Sequence, residues 1–598
     1  MTLTRETDLS SPAADTPRLG LSVEAALYLG LFGLALWLRL DGLGAAPLND
    51  PEARAALDVW RFVRGAPEAG LPASPLYFFF TAVAFLVLPA SDALARLAPA
   101  LAGAGLTWLP WFFRRELGRG PALLTGGLLA VSSTLLAAAR SADGATLVLL
   151  TFGVALGCLR RYQAGGSARW LIGAAAALGA ALAGGRDGLI GLLLLGLVAG
   201  VAARSRRAAD EAGPALRTAV AAERWAVLTA LALSLILVAT FGLTYRSGLA
   251  AVGAGWLNAL TGFGLAAAGR SPFVVPVFLT AYEPLILVFG LAGAVRAFRT
   301  GQAAGRVLAG AALLGLIFTL LYSGRELRDA AWVVIPLTAL AAQALLASVD
   351  APREEWLQAG ALAGLLLALL VFAGLNLARY FDQVTLNAAA WPPTFSTAPS
   401  FWLALMTLVV AGLITFLFGV TWSPRAAQLG LRLAGAAALL AVTVSAGWGL
   451  TQWRAAEPAE VWWPRPTALD VRRLVATLQA VSNFSVGQET EIAVTVAASP
   501  DGALAWALRE FPQAAFTPSL DASIDSPVVI APAGEQNPAL GSAYVGQGFT
   551  VYRQWRPENL FTHEQVLWFF TRQAPDEAEL YILWVRQDIQ QPRTVIQP

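Results

Sequence analysis

Three carboxylates in this 598-residue chain stand where an acid could do chemistry at a membrane surface. They are Asp50 and Glu52, in Asn49-Asp50-Pro51-Glu52-Ala53-Arg54, and Asp143, in Ala139-Arg140-Ser141-Ala142-Asp143-Gly144. An acid so placed can take a proton from an attacking hydroxyl or hold a divalent metal, the candidate cofactor here. The same residues have a plainer use, since Asp50 could cap the helix that follows Pro51 and Asp143 the next apolar run. Arginines form the second set. Arg325 and Arg328, in Tyr322-Ser323-Gly324-Arg325-Glu326-Leu327-Arg328-Asp329, and Arg140 border apolar runs. A guanidinium there can clamp the oxygens of a lipid phosphate in a bidentate fork and keep its charge near lipid. Interface anchoring, or pairing with Glu326 and Asp329, is the competing use. Arg186 and Asp187 form an adjacent pair at a break between apolar runs. His563 has no Cys or His partner and reads as a surface or capping residue. Cys158, the single cysteine, excludes an intrachain disulfide and reads as apolar filler. Asn483-Phe484-Ser485 fits a glycosylation sequon of negligible weight.

The elements that must position these residues are membrane spans. Hydrophobic residues make up 57% of the chain, charged ones 13%, and mean hydropathy is +0.61. Runs of roughly 20 apolar residues, the length that crosses a bilayer, recur from 21 to 450. All 41 basic residues are arginine, and the net charge of +2 leaves no footprint for nucleic acid. Residues 41–73 are too polar for lipid, and Ala53, Ala56, Leu57, Trp60 and Val63 recur at helical spacing. That pattern predicts a helix lying in the interface. The short Pro-bounded segment 74–89 either lies flat or crosses.

If it lies flat, thirteen spans follow at about 21–40, 94–113, 121–139, 143–159, 170–184, 187–203, 225–243, 281–298, 304–322, 331–348, 356–377, 401–420 and 430–450. The links that then face inward carry Arg114, Arg115, Arg160, Arg161, Arg204, Arg206, Arg207, Arg296, Arg299 and Arg425. Positive charge belongs on the cytoplasmic side, so this arrangement is preferred. It predicts a multi-pass protein of the plasma (inner) membrane, with a cytoplasmic tail at 1–20, a transmembrane domain at 21–451 whose first outer loop is 41–93, and an outer carboxyl terminus. From 452 to 598 the composition is that of a soluble domain. Helices are expected at 471–481, 503–511 and 564–572, and strands at 491–497, 528–531, 549–554 and 580–585, giving an extracytoplasmic α/β domain.

The order of these features resembles the GT-C superfamily of membrane glycosyltransferases, of the protein mannosyltransferase and aminoarabinose transferase type. The resemblance covers about residues 20–350. It runs through Asn49-Asp50-Pro51-Glu52-Ala53-Arg54, Ser74-Pro75-Leu76-Tyr77-Phe78, Ala95-Arg96-Leu97-Ala98-Pro99, Arg114-Arg115-Glu116-Leu117-Gly118-Arg119 and Ala139-Arg140-Ser141-Ala142-Asp143. It implies catalysis by an acid pair in the first outer loop and a sugar donor on a polyprenyl phosphate. The family pair is an adjacent Asp-Glu, whereas here Pro51 separates Asp50 from Glu52. The tail, around Trp506 and Arg509, loosely resembles that of a GT-C-like family described as flippase-activity-associated. The expectation is a glycosyltransferase that moves sugar from a polyprenyl-phosphate donor to a protein or lipid acceptor on the outer face, with Asp50, Glu52 and Asp143 catalytic. Arg325, Arg328 and Arg140 would hold the lipid phosphate. The alternative is a non-catalytic GT-C-like protein that binds lipid-linked sugar and assists its assembly or flipping. A transporter is disfavoured because no internal repeat is evident.

Overall fold

The structure is a computed structural model that describes residues 22–66, 70–206, 220–264, 270–347, 353–388, 391–463, 465–521, 524–534, 540–557 and 560–590. The expected cytoplasmic tail lies outside the described residues. The chain is a multi-pass α-helical membrane protein that closes on a small α/β domain. Each of the thirteen expected spans falls on helical structure. Among the described residues eight helices are long and apolar enough to cross alone, or ten if two bent pairs each make one span. The other three, Asp92–Leu106, Ala168–Leu182 and Arg224–Ala239, have 15, 15 and 16 residues. At 1.5 Å per residue they reach roughly 23 Å against a hydrocarbon core of about 30 Å. Length therefore supports ten crossings and leaves thirteen as a proposal.

The bent pairs are breaks that sequence places at specific residues. Helices Val274–Tyr282 and Pro284–Thr300 meet at 102°, because Pro284 cannot donate a backbone hydrogen bond to the preceding turn. Arg119–Val131 and Ser133–Ala139 meet at 57°. The two breaks face each other. Glu283 Oε1 accepts from Ser132 Oγ (2.6 Å), Thr134 N (2.7 Å) and Thr134 Oγ1 (2.8 Å), so one buried carboxylate satisfies the donors that the second break frees.

The segment after the first span, the expected outer loop, is helical where the periodicity predicts it. Asp50–Val63 buries Ala53, Ala56, Leu57 and Val59, and is closed at its start by a capping box. The cap is Asn49, not Asp50, so the Asp50 carboxylate is left for other partners. Helix Pro75–Val87, with 13 residues, spans about 20 Å and is too short to cross. Helix Gly248–Thr261, which packs on Arg186–Arg206, lies where the sequence reading assigned no element.

The tail forms a five-stranded sheet of β1 (Val494–Ala497), β2 (Ala514–Thr517), β3 (Val528–Pro532), β4 (Tyr544–Gln554) and β5 (Glu577–Arg586), in the order β2-β1-β3-β5-β4. β2, β1 and β3 are parallel, whereas β5 is antiparallel to both β3 and β4. Helix Asp470–Val486 covers one face through Val471, Leu474 and Leu478. The expected helix at 503–511 is shorter, Ala503–Ala507, and β2 was not expected. Its Ala-Ala start has poor strand propensity and takes its form from pairing with β1. Two features fasten this domain to the spans. Helix Arg353–Leu386 has 34 residues, about 51 Å, and its far end stacks Phe381 on Phe570 at 4.5 Å. The interfacial helix Asp50–Val63 shares one apolar core with Ala503 and Leu504.

Candidate functional site

Glu52 and Asp50 begin the same helix and face different partners. Two helical steps rotate a side chain by about 200°, so one carboxylate turns toward the spans and the other toward the tail. Glu52 is 4% exposed and lies in a fork with Arg96, Nε to Oε1 at 2.9 Å and Nη2 to Oε2 at 2.6 Å. Its Oε1 also accepts Ala142 N–H at 2.9 Å, and its Oε2 accepts the Asn49 N–H at 3.2 Å. Arg96 donates in addition to the carbonyls of Leu43, Ala46 and Pro47, which pins the segment before the helix. Asp50 Oδ1 accepts Ala503 N–H at 2.9 Å and Tyr552 Oη–H at 2.8 Å, while Oδ2 pairs with Arg465 Nη1 at 2.7 Å. All of these Asp50 partners belong to the tail, more than 400 residues away. Asp50→Ala is therefore expected to weaken tail docking by about 2 kcal/mol, since hydrogen bonds to a charged acceptor are lost. Limited proteolysis between 453 and 470 should accelerate; an unchanged cleavage rate would remove Asp50 from the docking contact.

Asp143 stands in the turn between helices Ser133–Ala139 and Ala145–Gly165. Its Oδ1 accepts Ala145 N–H at 2.9 Å, and Oδ2 lies 3.2 Å from Arg328 Nη1. It thus caps the span and pairs with a cation at once. Burial pushes its carboxyl up to about 6, with Arg328 opposing. About a quarter of the side chain, 24%, remains exposed to solvent. Arg328 bridges onward to Glu326 at 3.0 Å and Asp187 at 3.6 Å. Arg186 pairs with Asp187 at 2.6 Å and Asp329 at 2.7 Å, and also lies over the Tyr322 ring. The adjacent Arg186 and Asp187 are indeed mutually paired, inside a network of four carboxylates and two guanidiniums. Glu52 touches this network through the backbone, because the Ala142 N–H that it accepts immediately precedes Asp143.

The other expected arginines take different roles. Arg140 donates to the carbonyls of Leu38, Arg39, Asp41 and Gly42, closing the end of the first span. Burial, reinforced by nearby Arg96, pushes its guanidinium down to about 10. Arg140, Arg96 and Glu52 border a pocket of about 20 Å³, room for one water molecule. Arg325 donates to Thr319 and Leu320 at the end of helix Ala303–Leu321, and to the carbonyl of Arg270. Arg270 is a cation that the sequence reading passed over. Its Nη1 donates to Val461 at 3.0 Å, and Glu326 and Arg328 are near enough to act on its charge. An outer-loop arginine just before an apolar run, the criterion that selected Arg325 and Arg328, would have found it. The tail roofs this region through Val461 and through Trp462, whose Nε1 meets Ser141 Oγ at 3.3 Å.

For a divalent metal the described residues do not fit. Among them no three Asp, Glu, His or Cys side chains converge as a cation site, and the four clustered carboxylates each answer to Arg186 or Arg328. His563 stacks on Phe561 at the surface, and Cys158 is a free thiol.

No protein-family model matches the sequence, and no curated protein sequence matches it. Among solved structures, ArnT from Cupriavidus metallidurans bound to undecaprenyl phosphate aligns with a TM-score of 0.54 at 17% identity, over 95% of this chain and 100% of that one. The apo state of ArnT aligns at 0.50 and 18%, over 94% and 98%. The archaeal oligosaccharyltransferase AglB from Archaeoglobus fulgidus, in complex with an inhibitory peptide and a dolichol-phosphate, aligns at 0.46 and 12%, over 86% and 70%. The similarity to ArnT runs the length of the chain, tail domain included.

Proposed function

We propose that this chain, whose fold is that of the GT-C membrane glycosyltransferases, transfers a sugar from a polyprenyl-phosphate donor to a hydroxyl acceptor on the outer face of the membrane. The observation that carries the reading is the pairing of Asp143 with Arg328 in the turn between two apolar helices, under a roof from the tail domain. The acceptor oxygen attacks C1 of the sugar as its proton passes to the Asp143 carboxylate. The bond from C1 to the phosphate oxygen breaks, and its electron pair leaves with the polyprenyl phosphate. A base poised near neutrality suits this task, because it is deprotonated at working pH yet still basic enough to accept a proton. Arg328, with Arg270 near it, supplies positive charge for the departing phosphate, where preorganised cations act most strongly. Glu52 then serves as a positioning residue that holds the turn carrying Asp143, and Asp50 joins the tail to the interfacial helix.

The non-catalytic reading has one observation in its favour. Both oxygens of Asp50 and both of Glu52 are already taken by protein donors. Lipid analysis of the purified protein tests what the two readings share. A co-purifying polyprenyl phosphate is expected, and its absence together with failure to bind added polyprenyl phosphate would sink both.

The transfer reading also requires the tail to lie outside the cell. Alkaline phosphatase fused after Pro598 should be active and a cytoplasm-only fluorescent reporter dark, because the arginine-rich links belong inside. Fluorescence without phosphatase activity would reverse the orientation.

A further inference from the structure

We propose that the groove between the start of helix Asp92–Leu106 and the tail domain binds the phosphate headgroup of an anionic bilayer lipid. The groove encloses about 450 Å³. Pro47, Leu48 and Asp92 form one wall, and Arg472, Trp506 and Arg509 the other. Two guanidiniums therefore face one carboxylate. That carboxylate is already occupied, since Asp92 Oδ1 accepts Trp506 Nε1 at 2.7 Å and Oδ2 accepts Arg472 Nη2 at 3.2 Å. Arg472 spends Nη2 on Asp92 and on the Gly44 carbonyl at 2.6 Å. Its remaining N–H groups have no hydrogen-bond partner among the described residues, and the side chain is 48% exposed. Arg509 lies over the Trp506 ring at 3.9 Å and donates to the carbonyls of Trp506 and Ala90, while its buried Nε makes no hydrogen bond and has Glu510 Oε1 at 3.6 Å. A phosphate oxygen would answer the free N–H groups of Arg472 with charge-assisted hydrogen bonds, with Arg509 adding its charge from the same wall.

The second part of the argument is apolar. Phe80, Val83 and Val87, spaced as one face of helix Pro75–Val87, are exposed, as are Leu86 and Leu88 beside them. A helix too short to cross that exposes such a stripe rests its apolar face in the acyl boundary. Ala90, whose carbonyl Arg509 holds, is only three residues beyond Val87. The cationic groove thus opens next to a lipid-facing stripe, and an amphiphile with a phosphate and acyl chains complements both. The site is separate from the proposed transfer centre, as none of Asp143, Arg328 or Arg270 lines the groove.

The test uses the full chain, delipidated in detergent, with its thermal unfolding midpoint followed during titration. The probes are phosphatidylglycerol, phosphatidylcholine and inorganic phosphate. The wild type should be stabilised by phosphatidylglycerol at concentrations where the other two have little effect. Arg472→Gln should weaken the apparent affinity about tenfold, the scale of one charge-assisted hydrogen bond. Arg473→Gln, which removes the same charge from an 82% exposed neighbour outside the groove, should leave the affinity unchanged. The proposal is overturned if phosphatidylcholine stabilises equally, or if the two arginine variants behave alike. Stabilisation by inorganic phosphate that Arg472→Gln abolishes would show a free-anion site and overturn the lipid occupant.

Discussion

Asp143→Asn should lower sugar transfer by about 100-fold or more while the protein retains its polyprenyl phosphate, because the amide keeps the shape of the side chain but cannot accept the hydroxyl proton. An asparagine can still cap Ala145 through its side-chain oxygen, so the span should keep its start. The pH dependence gives an independent reading. The carboxyl is raised to about 6 by burial, and only its deprotonated form is a base. The wild-type rate should therefore climb as pH rises through about 6 and level off above it. The variant should keep its residual rate without that acidic limb. Transfer assayed in membranes with a polyprenyl-phosphate sugar would measure both. If Asp143→Asn transfers sugar at the wild-type rate while Arg328→Gln and Arg270→Gln abolish cellular glycosylation, the catalytic claim fails and the lipid-binding assembly role takes its place.

Breaking the buried pair between Glu52 and Arg96 should destabilise the protein by about 3–5 kcal/mol, since either single change strands an uncompensated charge. Arg96→Met leaves the buried Glu52 carboxylate with only the Ala142 and Asn49 N–H groups and no countercharge, and Glu52→Gln leaves a buried guanidinium with neutral acceptors alone. The double variant removes both charges and should recover a large part of the loss. Thermal unfolding midpoints in detergent would compare the three. Equal losses in the single and double variants would mean that the pair contributes through packing. A role in positioning Asp143 predicts something further. Glu52→Gln should depress the rate at every pH and leave the acidic limb in place, because the base itself is intact. Disappearance of that limb would make Glu52 the titrating base and Asp143 its support.

The outline of this molecule was legible in its residues because lipid imposes a one-dimensional constraint. A span must be apolar over its own length, so hydropathy located the expected spans, and Pro51 marked where the helix of the first loop starts, although the cap falls on Asn49 and not on Asp50. Periodicity in the tail found four of five strands. The fifth, β2, depends on its neighbour, and a strand of small residues carries little signal by itself.

What each acid does could not be decided in this way. A carboxylate's role depends on the donors around it, and those donors come from distant stretches of chain. Asp50 receives Arg465, Ala503 and Tyr552; Glu52 receives Arg96 and Ala142; Asp143 receives Arg328. Helical geometry alone says that Asp50 and Glu52 diverge, yet which one meets the tail and which the spans follows only from how the interfacial helix is sandwiched between them. Composition made this a membrane protein with several acids near its surface. Tertiary packing turned two of those acids into fasteners and left Asp143 partly exposed, raised toward neutrality by burial and paired with Arg328, which is why we propose it as the proton acceptor.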